Sequence, residues 1–298
     1  MNKALETYNK LKNDDEVVPI KDALKNDGKL TTPTSIGYNI MDESMKGGVR
    51  GGDLLLFSGL SKTGKTTALM NISMNFSKQS YPSLWFSYEM IIDNFYNKFM
   101  QAGAKSEDLL VYTPKTNTSG SLEWIEEKIK EGLEKFGIKF IFIDHIEFLS
   151  PKNPKNYENY RISMQGIARE LKSLAVKYEI TIFVVSHVKK VYGRAVAMQD
   201  TSESGVYKEC DFMLATQRGC EEIDMNGVKT EILSDIGTLR MLANRLTGEL
   251  PYFNYRIEND LLIPIFGDYK SKGKTKEKDE IKIEEDKIGD KIIDNLFK

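Results

Sequence analysis

Leu54-Leu55-Leu56-Phe57-Ser58-Gly59-Leu60-Ser61-Lys62-Thr63-Gly64-Lys65-Thr66-Thr67 is the stretch whose reading decides the fold. The apolar run Leu54–Phe57 predicts a buried strand, and Leu69, Ile72 and Phe76 behind it recur at helical spacing. Between them, Gly59 to Thr66 fits G-x-x-x-x-G-K-[ST] at every fixed position. The pattern therefore sits where phosphate binding needs it, between a strand and a helix. Its glycines let the backbone curl so that N–H groups point at phosphate oxygens, and the helix N-terminus adds partial positive charge. Gly59, Ser61, Lys62, Thr63, Gly64, Lys65, Thr66 and Thr67 are the candidate nucleotide-binding residues. Lys65 is expected to reach the β- and γ-phosphates of ATP or another NTP, and the Thr66 hydroxyl to hold Mg²⁺.

Working outward, Gly47-Gly48 and Gly51-Gly52 tighten the chain just ahead of this strand. After the first helix, Ser83–Ser87, Leu109–Tyr112, Phe140–Ile143 and Ile182–Val185 read as strands. Helical stripes separate them, at Leu122, Ile125, Ile129, Leu133 and Phe136, and at Ile167, Leu171 and Leu174. Strands alternating with helices predict an α/β fold with a mainly parallel sheet. Phe140-Ile141-Phe142-Ile143 is apolar throughout, as a strand buried on both faces must be. Past residue 205 the style changes. Asp211–Thr216, Thr238–Ala243, Tyr252–Ile257 and Leu261–Ile265 read as strands joined by short turns, with Asp224-Met225-Asn226-Gly227 at a hairpin tip. That part is expected to extend the same sheet in antiparallel fashion. The segments then divide as an N-terminal linker or short helix at 1–33, a catalytic domain at 34–269, and a charged, flexible tail at 270–298.

Composition narrows the function classes. The chain has 298 residues, 40% hydrophobic and 29% charged, and a formal charge of −2, so a nucleic-acid partner must be held by a local basic surface. Two cysteines, Cys210 and Cys220, support neither a disulfide framework nor a cysteine-rich zinc module, which points to a reducing cytoplasm. No apolar run is long enough to span a membrane and no signal peptide is seen, so no membrane partner is expected.

Chemistry-bearing residues cluster at predicted strand ends, where parallel sheets gather their ligands. Asp144 closes the Phe140–Ile143 strand and is the expected Mg²⁺ holder with Thr66. Glu89 closes the Ser83–Ser87 strand and suits the carboxylate that activates water, although a helix N-terminus also favours glutamate there. The two histidines, His145 and His187, both stand at strand ends, and His187 suits a γ-phosphate contact. Lys189, Lys190, Tyr192 and Arg194 follow one strand; Lys152, Lys155, Tyr157 and Tyr160 follow the other. Basic side chains interleaved with aromatics suit single-stranded nucleic acid, with solvated loops as the plain alternative.

In this order the residues resemble the RecA-type motor domain of the DnaB-like replicative DNA helicases, including the hexameric helicases of bacteriophages. The resemblance rests on Phe86-Ser87-Tyr88-Glu89-Met90, Ile143-Asp144-His145, the helix Ile167–Ala175, Ser186-His187, Asp200–Gly205, Asn244–Gly248 and Phe266–Tyr269. It implies a RecA-like P-loop NTPase core that assembles as a hexameric ring around single-stranded DNA and unwinds duplex at the expense of ATP. It implies that Glu89 is the catalytic base, that His187 senses the γ-phosphate, and that Arg245 is a finger reaching a neighbouring subunit. It also implies that Lys152, Lys155, Lys189, Lys190 and Arg194 face DNA. Two positions depart from the pattern: Ser202 stands where the family usually has arginine, and Ala243 where it has lysine. The tail, with Ile281, Ile288, Ile292, Ile293, Leu296 and Phe297 on an acidic background, loosely resembles phage-helicase tails that hold a polymerase or single-strand-binding protein; a primase is a further replisome candidate. A RecA- or RadA-like recombination ATPase and a KaiC-like regulatory ATPase are the alternatives. Phe86–Met90 argues against the first, and the absence of paired glutamates at Tyr88-Glu89 against the second.

Overall fold

The computed structural model describes residues 32–116, 120–149, 157–188, 195–201, 205–225 and 228–265. Nearly all belong to one compact unit beginning at Pro33. One nine-stranded sheet organises them, in the order β3-β2-β4-β5-β1-β6-β7-β8-β9. The strands are β1 Leu54–Gly59, β2 Ser83–Ser87, β3 Val111–Tyr112, β4 Phe140–Asp144, β5 Thr181–His187, β6 Phe212–Met225, β7 Val228–Asn244, β8 Tyr252–Glu258 and β9 Leu261–Ile265. β1 to β6 run parallel, and β7 to β9 continue the sheet antiparallel. The fold is α/β and RecA-like.

Alternation along each strand sends side chains to two faces, and both faces are covered. On one, Leu55, Phe57, Trp85, Phe142 and Phe183 pack beneath α2 (Lys65–Lys78) and α3 (Ile92–Gln101). On the other, Leu54, Leu56, Phe86, Ile141, Ile143 and Val184 meet α4 (Leu122–Phe136) and α5 (Tyr157–Tyr178). A short helix, α1 (Asn39–Ser44), adds Met41 to the first layer. This explains the continuous apolar strands: a strand covered on both sides has no polar face to show. The first layer is aromatic. Trp85 stacks on Phe142 at 4.5 Å and Phe142 on Phe183 at 4.6 Å. The Trp85 indole N–H donates to Ser73 at 3.0 Å, so its polar edge is not stranded in the core.

The helices are punctuated locally. Ser121 caps α4 by accepting from the Trp124 N–H at 3.2 Å, and Gly137 ends it in the left-handed region. α2 starts at Gly64, whose φ of +93° suits glycine and where a Cβ would lie 2.7 Å from Ile257 Cδ1.

Four elements differ from expectation. β3 is only Val111–Tyr112, because it is an edge strand pairing with Ser83 and Leu84 alone. α3 was not legible from periodicity: Phe95 and Phe99 face Trp85, but Ile92 and Tyr96 stay exposed and blur the stripe. β6 and β7 are far longer than expected and pair continuously from Phe212↔Asn244 to Met225↔Val228 apart from register shifts, forming a two-stranded ribbon beyond the sheet. Residues 1–31 of the N-terminal linker, the tail, Phe266–Tyr269, Ser202 and the basic residues Lys152, Lys155, Lys189, Lys190 and Arg194 lie outside the described residues. No described helix is long and apolar enough to cross a membrane.

Candidate active site

The parallel register brings Gly59, Ser87, Asp144 and His187 to the carboxyl edge of the sheet. From Gly59 the chain turns into α2. A Cβ on Gly59 would come within 2.4 Å of the Thr216 carbonyl oxygen, so the loop sits directly on β6. Thr63 pins it there, its hydroxyl 2.8 Å from that of Thr216 and donating to Leu60 O at 2.7 Å. From the antiparallel side, the Tyr255 hydroxyl donates to the Thr63 carbonyl. The phosphate loop is thus clamped between parallel and antiparallel halves of one sheet.

Lys65 is 5% exposed, and its ammonium donates to the carbonyls of Gly59 at 3.0 Å and Leu60 at 2.9 Å. Burial lowers its pKa, and the carboxylates of Asp144, Glu89 and Glu147 partly offset that. Thr66 donates to Asp144 Oδ2 at 2.9 Å. Asp144 is fully buried and its Oδ1 has no hydrogen bond. Burial pushes its pKa up to about 6, helped by Glu89 and Glu147 and opposed by Thr66 and Lys65. A hydroxyl and a carboxylate oxygen side by side, with one further oxygen unsatisfied, are hard donors of the kind Mg²⁺ takes. Thr66 and Asp144 fit that ion, which in such sites supplies charge neutralisation to the phosphates.

Glu89, His145 and His187 line a cleft of about 190 Å³ together with Thr66, Lys62 and Thr67. Glu89 Oε2 lies 3.1 Å from His145 Nε2, and Glu89 Oε1 lies 3.6 Å from His187 Nε2. The two imidazoles stack at 4.1 Å with only 15° between their planes. His145 is 2% exposed, and burial together with the His187 ring holds its pKa well below the usual imidazole range, so the ring is neutral. Glu89, His145 and His187 could each offer a ligand atom, all within 4.8 Å of one another. Both Nε2 atoms, however, face the carboxylate oxygens of Glu89. The trio is built as a hydrogen-bonding stack more than as a cation cage.

One residue escaped sequence reasoning. Glu147, on the 3-10 turn Ile146–Leu149, accepts from the Ser186 hydroxyl at 2.7 Å and from the His187 N–H at 3.0 Å. It ties the Asp144 turn to the end of β5. No spacing rule flags a glutamate three positions past a strand-end aspartate, so only the fold reveals it.

Arg245 is elsewhere. Its N–H donates to Asp211 O at 2.9 Å and its guanidinium to Lys208 O, both at the amino edge of the parallel strands. Thr216, the partner of Gly59, is five residues further along β6, about 16 Å at strand rise. The structure therefore unites Lys65, Thr66, Glu89, Asp144 and His187, and places Arg245 at the opposite end of the sheet.

A profile of the AAA domain family matches residues 41–193, just over half of the 298-residue chain. The chain belongs to that family. This AAA-domain chain is a RecA-like P-loop NTPase. It is 27% identical over 159 residues to the DNA repair protein RadA of Campylobacter jejuni, and 25% identical over 156 residues to that of Chlamydia muridarum. These alignments cover 53% and 52% of the chain but only 34% and 32% of the relatives, so the chain spans about a third of their length. Among solved structures it is similar to a separately solved ATPase domain, with a TM-score of 0.65 and 16% identity, covering 89% of this chain and 98% of that one. A DnaB-like replicative helicase, solved for its interactions with primase, aligns with a TM-score of 0.64 at 16% identity, over 88% of this chain and 66% of that one. At such identity these likenesses speak to the fold.

Proposed function

We propose that the chain is an ATP-hydrolysing motor of the DnaB-like helicase kind. It assembles head to tail, in a ring that encircles single-stranded DNA and uses each hydrolysis to move along it. The observation that carries this reading is the separation of Arg245 from its own phosphate loop. A cation about 16 Å down the sheet from Gly59 does not serve the γ-phosphate of its own subunit. It is free to serve that of a neighbour whose phosphate-loop edge meets this chain's amino edge. Such a contact is heterologous, and heterologous contacts close into rings or run on as filaments.

Within one subunit the chemistry divides as follows. Lys65 turns from the Gly59 and Leu60 carbonyls to the phosphate oxygens. Thr66 and Asp144 hold Mg²⁺. Glu89 takes a proton from water; the water oxygen bonds to the γ-phosphorus as the bond to the bridging oxygen breaks and ADP leaves. His187, beside Glu89, contacts the γ-phosphate and passes its presence to the basic stretch that begins at Lys189. Lys152, Lys155, Lys189, Lys190 and Arg194 carry the DNA contact, and the tail from residue 270 holds a replisome partner.

The RadA relatives favour a second reading, a recombination ATPase that acts on DNA without strand separation. A forked DNA substrate distinguishes the two. Strand displacement that needs ATP and is lost in Glu89→Gln supports the helicase. DNA-stimulated ATPase with no displacement on any fork supports the recombination reading.

A further inference from the structure

We propose that His145 is the positioning residue of the hydrolytic site: its Nε2–H sets where the Glu89 carboxylate stands, and its ring carries the position of His187 to that carboxylate. The proposal rests on the reading of Glu89 as the group that activates water.

Glu89 lies beyond the end of β2, on a strand-to-helix turn, and is 44% exposed. An exposed glutamate on a turn samples several rotamers, and holding a water in line with a γ-phosphate requires one of them. Among the described residues, the polar side-chain contacts recorded for Glu89 are those with the two histidines. His145 is the rigid one. It is 2% exposed, whereas His187 is 45% exposed. Its Nε2 lies 3.1 Å from Glu89 Oε2, whereas Asp144 Oδ1, 3.0 Å away, takes no hydrogen bond from it. A nitrogen facing carboxylate oxygens is a donor, so Nε2 carries the hydrogen and Glu89 accepts it. Its Nδ1 is buried without a hydrogen bond, and the nearest carboxylate oxygen recorded for it, Glu147 Oε2, is 3.9 Å away.

The ring face does a second task. His187 stacks on His145, while the His187 backbone and Ser186 are tied to Glu147 two residues beyond His145. Movement of the His187 ring toward a bound γ-phosphate therefore bears on the imidazole that holds Glu89. A buried histidine that merely fills space needs neither the shared proton nor the stack.

The chain has only two histidines, so selective ¹⁵N-histidine labelling reads both rings in the full-length protein. The buried ring is expected as the Nε2–H tautomer, and Glu89→Ala is expected to shift its Nε2 resonance. The Nδ1–H tautomer, or a resonance indifferent to Glu89→Ala, overturns the proposal, and neither readout needs turnover. Kinetics supply the second arm. His145→Phe keeps a ring to stack but no donor, and is expected to lower kcat ten- to a hundred-fold with KM for ATP within two-fold of wild type. His145→Gln restores a donor and is expected to recover most of that loss. Equal kcat in wild type and His145→Phe, a loss that appears in KM, or no recovery in a folded His145→Gln overturns the positioning role. Full hydrolysis in Glu89→Gln would instead overturn the underlying reading of Glu89, a result distinguishable from the others.

Discussion

Replacing Arg245 with alanine separates the trans reading from any action within one subunit, because the two differ by orders of magnitude. At about 16 Å, a unit charge interacts with another by about 0.3 kcal/mol in bulk water and about 1 kcal/mol at an effective dielectric constant of 20. Acting on its own γ-phosphate, Arg245 is therefore worth less than about ten-fold in rate. A guanidinium placed against a neighbour's γ-phosphate is worth on the order of 10³–10⁵. Ala243 stands two positions earlier, so no cation at that position shares the load. The variant loses the Lys208 carbonyl contact of an exposed side chain, so folding and nucleotide binding are expected to persist. The assay is steady-state ATPase across mixtures of Arg245→Ala with Lys65→Ala. Each variant alone is expected to be nearly inactive. Mixtures are expected to regain activity, because a Lys65→Ala subunit lends its arginine to an intact phosphate loop. A loss below ten-fold in Arg245→Ala, or no recovery in assemblies shown to be mixed, would refute the argument from distance.

Lys65→Ala is expected to abolish binding of a fluorescent ATP analogue, whereas Glu89→Gln should bind it normally and lose hydrolysis at least a hundred-fold; equal loss of binding in both removes the role given to Glu89. Changing Lys152, Lys155, Lys189 and Lys190 together to alanine should weaken single-stranded DNA binding uniformly across sequences and flatten its salt dependence, read by fluorescence anisotropy from low to high salt. Phe142→Ala, which empties the centre of the aromatic layer, should cost about 3–5 kcal/mol in urea unfolding. Burial raises the Asp53 pKa from 3.8 to about 6, so its favourable contribution is present at low pH and is lost as pH rises through about 6. Asp53→Asn should therefore gain on wild type between pH 4 and 8, by at most about 3 kcal/mol since the carboxylate is partly exposed; a pH-independent difference would contradict this.

What could be read from the sequence was local. The phosphate loop declares itself in eight consecutive residues, because backbone curl and a helix start leave little freedom in residue choice. Phe140–Asp144 declares itself because a strand covered on both faces must be apolar until it reaches the site. The ribbon of β6 and β7 did not. The turn at Asp224–Gly227 places the hairpin, but Arg218, Glu221 and Glu222 give no strand pattern, and only pairing with β7 makes them one. Nor did the contacts of the site. His145 and Glu89 meet because β2 and β4 are adjacent in register, Phe86 opposite Ile143 and Ser87 opposite Asp144, and nothing near either residue in sequence announces it. Glu147 was invisible for the same reason: its partners, Ser186 and His187, belong to another strand.

Val188 and Val196 are buried against Ala215 of β6, and Leu60 of the phosphate loop packs on the same small cluster. The Val196 N–H is further fixed to the Gln217 side chain at 2.7 Å. Val188 and Val196, on either side of residues 189–194, are thus fastened to one small cluster by a few apolar contacts. Closing a longer insert between fixed ends costs only about 0.6 kcal/mol for each doubling of its length. Lengthening the chain between two such anchors therefore costs little through closure entropy alone. The proposed DNA contact at 189–194 and the proposed hydrolytic site can then change separately, provided the two valines stay apolar. Selection should then keep those two anchors apolar for the sake of the phosphate loop beside them, whatever it asks of the residues between.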